Sequence, residues 1–94
     1  METRTEIEVR RALSREELDA MGVFAWGIWE KEASSFPWTY GEEEECYLLE
    51  GEVVVTPDGG QPVEIRAGDF VRFAAGLSCT WEIKRDVKKH FRFL

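Results

Sequence analysis

Downstream of Gly22, glycine or proline recurs at intervals of about ten residues, and the stretches between them alternate apolar with polar side chains. That rhythm leaves room for strands and turns but not for packed helices, and it is the rhythm of an all-β sandwich or barrel. It is plainest where Leu77, Cys79, Trp81 and Ile83 alternate with Ser78, Thr80 and Glu82, because period two puts the four apolar groups on one sheet face. Further strands are expected over Phe24 to Glu30, over Phe36 to Tyr40 with Phe36, Trp38 and Tyr40 on one face, and from the acidic run at Glu42 through Thr56 with a bend at Gly51. Pro57-Asp58-Gly59-Gly60 reads as a hairpin turn into a return strand through Val63 and Ile65. Phe70 to Phe73 and Val87 to Phe93 complete the set, with a weak alternation around Ile7 and Val9 at the start. One helix interrupts the pattern. Ser14-Arg15-Glu16-Glu17 has the spacing of a capping box ahead of Leu18 and Met21, which predicts a helix over residues 14 to 21 ended by Gly22.

The chain has 94 residues, the length of a single domain, and no linker or internal repeat divides it; one domain over residues 1 to 94 is expected. A chain of this size buries only roughly 60 to 65% of the surface of its unfolded form, so its core is modest. Four Trp, six Phe and two Tyr offset this, since each ring buries on the order of 150 to 250 Å². The net charge is −7 and no cluster of Lys and Arg is interleaved with aromatics, which argues against a nucleic-acid partner. No apolar run approaches a membrane span and the N-terminus Met1-Glu2-Thr3-Arg4-Thr5-Glu6 has no hydrophobic signal core, so a cytoplasmic protein without a membrane partner is expected. In a reducing compartment Cys46 and Cys79 are then free thiols, unless the fold brings them together.

Two glycine-centred segments say more. The first is Tyr47-Leu48-Leu49-Glu50-Gly51, preceded by Glu44, and the second is Gly68-Asp69-Phe70-Val71-Arg72-Phe73 followed by Gly76 and Cys79. Their spacing resembles the paired motifs of the cupin superfamily, Gly-x5-His-x-His-x(3,4)-Glu-x6-Gly and Gly-x5-Pro-x-Gly-x2-His-x3-Asn. With Trp81 and Val87-Lys88-Lys89 added, the set is similar to the small single-domain cupins grouped with the cupin domain of ureidoglycine aminohydrolase. The resemblance implies a jelly-roll-like antiparallel β-barrel and a homodimer, because such barrels commonly pair sheets edge to edge. Carried over by position, Glu44 stands for the motif glutamate, Trp38 and Tyr40 for two histidines, Cys79 for the third, Ala74 for the proline and Ile83 for the asparagine. Cupin metal ions sit on three imidazoles and a carboxylate. Here only Glu44 and Cys79 are ordinary donors, so no metal cofactor is expected, and zinc is the ion that thiolate and carboxylate would suit.

Alternation turns Glu44, Cys46 and Leu48 inward on one strand and Leu77, Cys79 and Trp81 inward on another. Glu44 in such a pocket suits acid-base work, whereas in the other reading it belongs to a solvated run from Glu42 to Glu45. Cys79 is a candidate nucleophile or a small core residue. Lys89 shares the apolar face with Val87, Phe91 and Phe93; it either pairs with a carboxylate, Glu44 or a neighbouring Glu, or snorkels to water from the strand end. His90, on the polar face, reads as exposed. Trp26, Trp29, Trp38, Trp81, Phe36 and Tyr40 are core or pocket wall, with Trp38 and Tyr40 aimed at the mouth. Three functions fit this site. The first is a metal-independent enzyme on a carbonyl, ureido or amino-acid type of metabolite, with Glu44 as acid-base group, Cys79 as nucleophile, Lys89 as electrostatic partner, and Trp38, Tyr40, Cys46 and Trp81 lining the pocket for the small-molecule ligand. The second is a sugar or metabolite binding module, and the third a metal-dependent aminohydrolase resembling ureidoglycine aminohydrolase.

Overall fold

The structure, a computed structural model, describes residues 6–94, so the reading of the N-terminal segment lies largely outside the described residues. Its elements are β1 (Ile7–Arg10), α1 (Arg15–Met21), a 3-10 turn (Val23–Ala25), β2 (Gly27–Lys31), β3 (Ser34–Thr39), β4 (Glu44–Pro57), β5 (Val63–Arg66), β6 (Phe70–Phe73) and β7 (Ser78–Phe93). All strand pairs are antiparallel, and the order is β1-β6-β4-β7-β2 with β5 also on β4 and β3 also on β7. The expected all-β, jelly-roll-like barrel with one short helix is the fold observed.

The barrel is organised by its two longest strands. β4 and β7 pair along most of their length. The first part of β4 also carries β6 while its second part carries β5. Likewise β3 lies along the start of β7 and β2 along its end. Each long strand therefore belongs to two sheet layers, and β4 bends between them through register shifts from Leu48 to Val53. The bend changes the phase of the pleat. Glu44, Cys46 and Leu48 are buried before it, and Val53 and Val55 after it. Gly51 sits in this bend with φ 107°, a conformation that disfavours any side chain.

Two differences from the sequence reading follow from partners that lie far away in sequence. The segments 77–83 and 87–93 form one continuous strand, because Arg85 is held in register by Glu52 of the bent β4 although Lys84, Arg85 and Asp86 are all exposed. The predicted strand from Phe24 begins only at Gly27, since Val23–Ala25 winds into a 3-10 turn after the helix.

The helix is where the capping box puts it. The Ser14 side chain accepts from the Glu17 amide, Glu17 accepts from the Ser14 amide, and Gly22 closes the C-terminus at φ 76°. Leu18 and Val23 pack on Phe70, with Met21, Phe24, Trp26 and Tyr47 around them. This second small core covers the outer face of the layer that contains β4, β6 and β7. It also corrects the reading of His90 as exposed: the residue is 6% exposed, its ring Nδ1 lies 3.1 Å from the Trp26 carbonyl oxygen, and Phe24 meets the ring edge-on. No helix among the described residues is long and apolar enough to cross a membrane.

Candidate functional site

Pairing fixes which rings meet inside the barrel. On β3 against β7, Phe36 lies opposite Trp81 and Trp38 opposite Cys79, while on β2 Trp29 lies opposite Lys89. These inward positions enclose a cavity of about 560 Å³ whose walls include Trp29, Phe36, Trp38, Tyr40 and Trp81. Phe36 and Trp81 stack at 6.2 Å with planes 14° apart, and Trp29 meets Trp81 edge-on. Trp81 Nε1 donates to the Tyr40 hydroxyl at 3.1 Å, and Tyr40 stacks on the fully buried Phe73 at 4.8 Å. The phenol is thus fixed in place. Burial, followed by the nearby charge of Glu44, holds its pKa well above the ordinary tyrosine range, so it stays a neutral hydroxyl. Trp38 is 48% exposed and marks the mouth.

Two charges lie at the buried end. Lys89 Nζ donates to Glu44 Oε2 at 2.6 Å, and the two side chains are 7% and 6% exposed. Glu44 is therefore separated in environment from the exposed Glu42 beside it, and Lys89 pairs with a carboxylate instead of snorkelling to water. The ammonium also faces two ring planes, 4.8 Å from the centroid of Trp81 and 5.0 Å from that of Trp29, at cation-π distance. A buried charge pair needs such compensation, because removing two charges from water costs several kcal/mol for each ion.

The thiols take a different place from the one expected. Both are free and buried, and neither lines the cavity. Cys46 does point inward, but on β4 it comes between Glu44 and Leu48, the residue opposite Lys89, and it is 0% exposed. Burial pushes its pKa up to about 12. Cys79 Sγ donates to the Trp38 carbonyl at 3.6 Å, and burial pushes its pKa up to about 11. A thiol attacks as the thiolate, and Cys79 is 2% exposed, off the cavity lining and turned to a backbone carbonyl. Disulfide-exchange reagents at pH 7.5 are expected to label the native protein at least about 100-fold more slowly than the urea-unfolded chain. Because both thiols hold their protons more tightly folded than at the ordinary value of 9.0, the stability they lend is complete below about pH 9. It is lost as pH rises through 11 to 12, which denaturant titrations across that range will read.

The donor set does not fit the metal of the wider fold. Glu44 is already neutralised by an ammonium at 2.6 Å, and Trp38 has no lone pair to give. Tyr40 is held protonated and Cys79 is turned to a carbonyl. Among the described residues no three of His, Cys, Asp and Glu come together as metal ligands.

Sequence reasoning missed four lining residues, Lys31, Pro37, Phe91 and Phe93, although for Lys31 and the two phenylalanines the signal was present. Lys31 follows Trp29 by two positions, and the two phenylalanines follow Lys89 at the same period. Trp26, by contrast, belongs to the second core, under the Arg92 guanidinium at 4.6 Å.

Comparison with known proteins follows the same lines. Residues 18–91 match the family described as EutQ-like cupin domain. Among solved structures, a DUF861 family protein from Thermotoga maritima is 40% identical with a TM-score of 0.91, over 95% of this chain and all 100% of that one. A protein described as a predicted oxalate decarboxylase, also from Thermotoga maritima, is 27% identical with a TM-score of 0.55, over 94% of this chain and 79% of its own. A putative ethanolamine utilization protein EutQ from Salmonella typhimurium LT2, 20% identical with a TM-score of 0.64 over 93% and 68%, shares the fold. No curated protein matches the chain.

Proposed function

The chain belongs to the EutQ-like cupin domain family, and from that premise we propose that its barrel is a small-molecule site in which Glu44 transfers a proton and Lys89 holds the charge that develops, without a metal ion. The observation that supports this reading is the buried ion pair facing an aromatic cavity. Apolar residues of similar volume would fill the same space at no electrostatic cost, and in a barrel this small a retained charge pair has a use. The substrate class is a metabolite with a carbonyl, ureido or amino-acid type of group. The Glu44 carboxylate takes a proton from the carbon or nitrogen beside the carbonyl. The electron pair moves onto the carbonyl oxygen, where the Lys89 ammonium holds it, and the proton returns to complete the transfer. The rings of Trp29, Phe36 and Trp81 keep the flat part of the molecule in place and exclude water.

The test is exchange of substrate hydrogen with deuterium oxide, followed by proton NMR over a panel of such metabolites. The expected result is exchange with the wild-type protein that survives EDTA and Cys79→Ala, and falls by at least about 100-fold in Glu44→Gln. Compounds that bind without exchange would make the barrel a binding module, and exchange abolished by EDTA and restored by manganese would make it a metal-dependent aminohydrolase; either result overturns the proposal.

A further inference from the structure

We infer that the ligand of this cavity is a monoanion, a carboxylate carried on a flat apolar body. The inference rests on the proposed small-molecule site and adds to it the charge of the ligand. Among the described lining residues the charged groups are Lys31, Lys89 and Glu44. Two ammonium groups against one carboxylate leave the cavity with a single net positive charge, in a chain whose net charge is −7. One cation, Lys89, is buried at one end, and the other, Lys31, is exposed.

The ring faces point the same way. An aromatic box beside a carboxylate is ordinarily a receptor for a cationic ligand. Here the protein's own ammonium groups occupy it: Lys89 Nζ lies over Trp81 and Trp29, and Lys31 Nζ lies 5.3 Å from the centroid of Phe36. Glu44 is satisfied by Lys89. A cationic ligand would meet two resident cations and no unpaired anion, and like charges brought together in a cavity of low dielectric repel strongly. An anion meets the opposite arrangement. Lys89 has three N–H donors and gives one to Glu44, so it can hold a ligand oxygen without breaking the internal pair. Lys31 supplies the second positive charge. The apolar body of the ligand then lies against Phe36, Trp38 and Trp81.

The probes are phenylacetate, phenylacetamide and phenethylamine, three molecules of nearly equal shape and of charge minus one, zero and plus one. Binding is followed by titration of the tryptophan indole N–H signals in the 15N-labelled protein. Phenylacetate is expected to bind at least about tenfold more tightly than either of the others. Lys31→Ala, at an exposed position, is expected to weaken phenylacetate by roughly threefold to fivefold and Lys31→Glu by about tenfold or more, with phenylacetamide unchanged. Equal binding of the amide, tighter binding of the amine, or binding of none of the three would overturn the inference. The first two results would leave the proton-transfer reading standing, whereas carboxylate binding without deuterium exchange on any substrate would sink that reading and keep the monoanion.

Discussion

Lys89→Met is expected to destabilise the protein by about 3–5 kcal/mol, a drop in Tm on the order of 15 °C for a domain of this size. The lysine side chain is 7% exposed and the carboxylate it holds at 2.6 Å is 6% exposed, so methionine fills most of the volume and leaves Glu44 as an uncompensated buried charge. The loss comes from that stranded carboxylate and not from missing packing. A second variant separates the two. Glu44→Leu/Lys89→Met removes both charges, and replacing a buried pair with apolar side chains is often neutral or stabilising; the double variant should recover most of the stability lost by the single one. Urea denaturation of the four proteins closes the cycle, and a coupling of about 2 kcal/mol or more is expected. A Lys89→Met variant that loses less than about 1 kcal/mol would mean that water reaches the pair and screens it. The stable double variant also isolates function, since a folded barrel without the ion pair should bind no carboxylate and exchange no substrate hydrogen.

That pair marks the boundary of what the sequence could disclose. Strand rhythm, the capping box at Ser14 and the hairpin at Pro57 are local, because each depends on residues within a few positions of one another; the helix and the hairpin are found where the sequence puts them, and the strands are too except at Phe24 to Trp26 and in the join across Lys84 to Asp86. The inward faces of Glu44 and Lys89 also follow from period two. Their contact does not: it joins residues 45 positions apart, through a β4–β7 register that is set by where β4 bends. The position of Cys79 off the cavity lining was hidden for a related reason. Alternation tells the side of a sheet and not the depth below a cavity, and the partner that turns its thiol away is the carbonyl of Trp38 on another strand. His90 was misread because the outer face of its sheet is covered by α1 and the 3-10 turn, elements some seventy positions earlier in the chain. The motif glycines carried the fold signal because their constraint is backbone geometry, as at Gly51 with φ 107° and Gly68 with φ 94°.

Gly51→Ala gives the second large effect and tests that constraint. At φ 107° a Cβ would stand 2.7 Å from the Asp86 carbonyl oxygen, 2.8 Å from Val87 Cα and 3.1 Å from the Arg85 carbonyl oxygen. All three are backbone atoms of β7, so no flexible side chain can move aside, and relief requires β4 and β7 to separate where they bend together. A loss of at least about 4 kcal/mol is expected, by overpacking added to left-handed strain. Gly68→Ala is the control. Gly68 has φ 94° but nothing within 4 Å of its Cβ position, so it bears only the conformational cost, roughly 1–2 kcal/mol. Equal losses in the two variants, measured by urea midpoints, would show that φ alone matters and that the close approach does not. Unequal losses carry a consequence for the cavity. Val87 precedes Lys89 by two residues on β7, so any outward shift that accommodates the new methyl group also moves the ammonium relative to Glu44. Whatever fraction of Gly51→Ala stays folded is therefore expected to lose carboxylate binding, whereas Gly68→Ala keeps it, and the motif glycine would then serve the site by holding β7 close enough for Lys89 to reach Glu44.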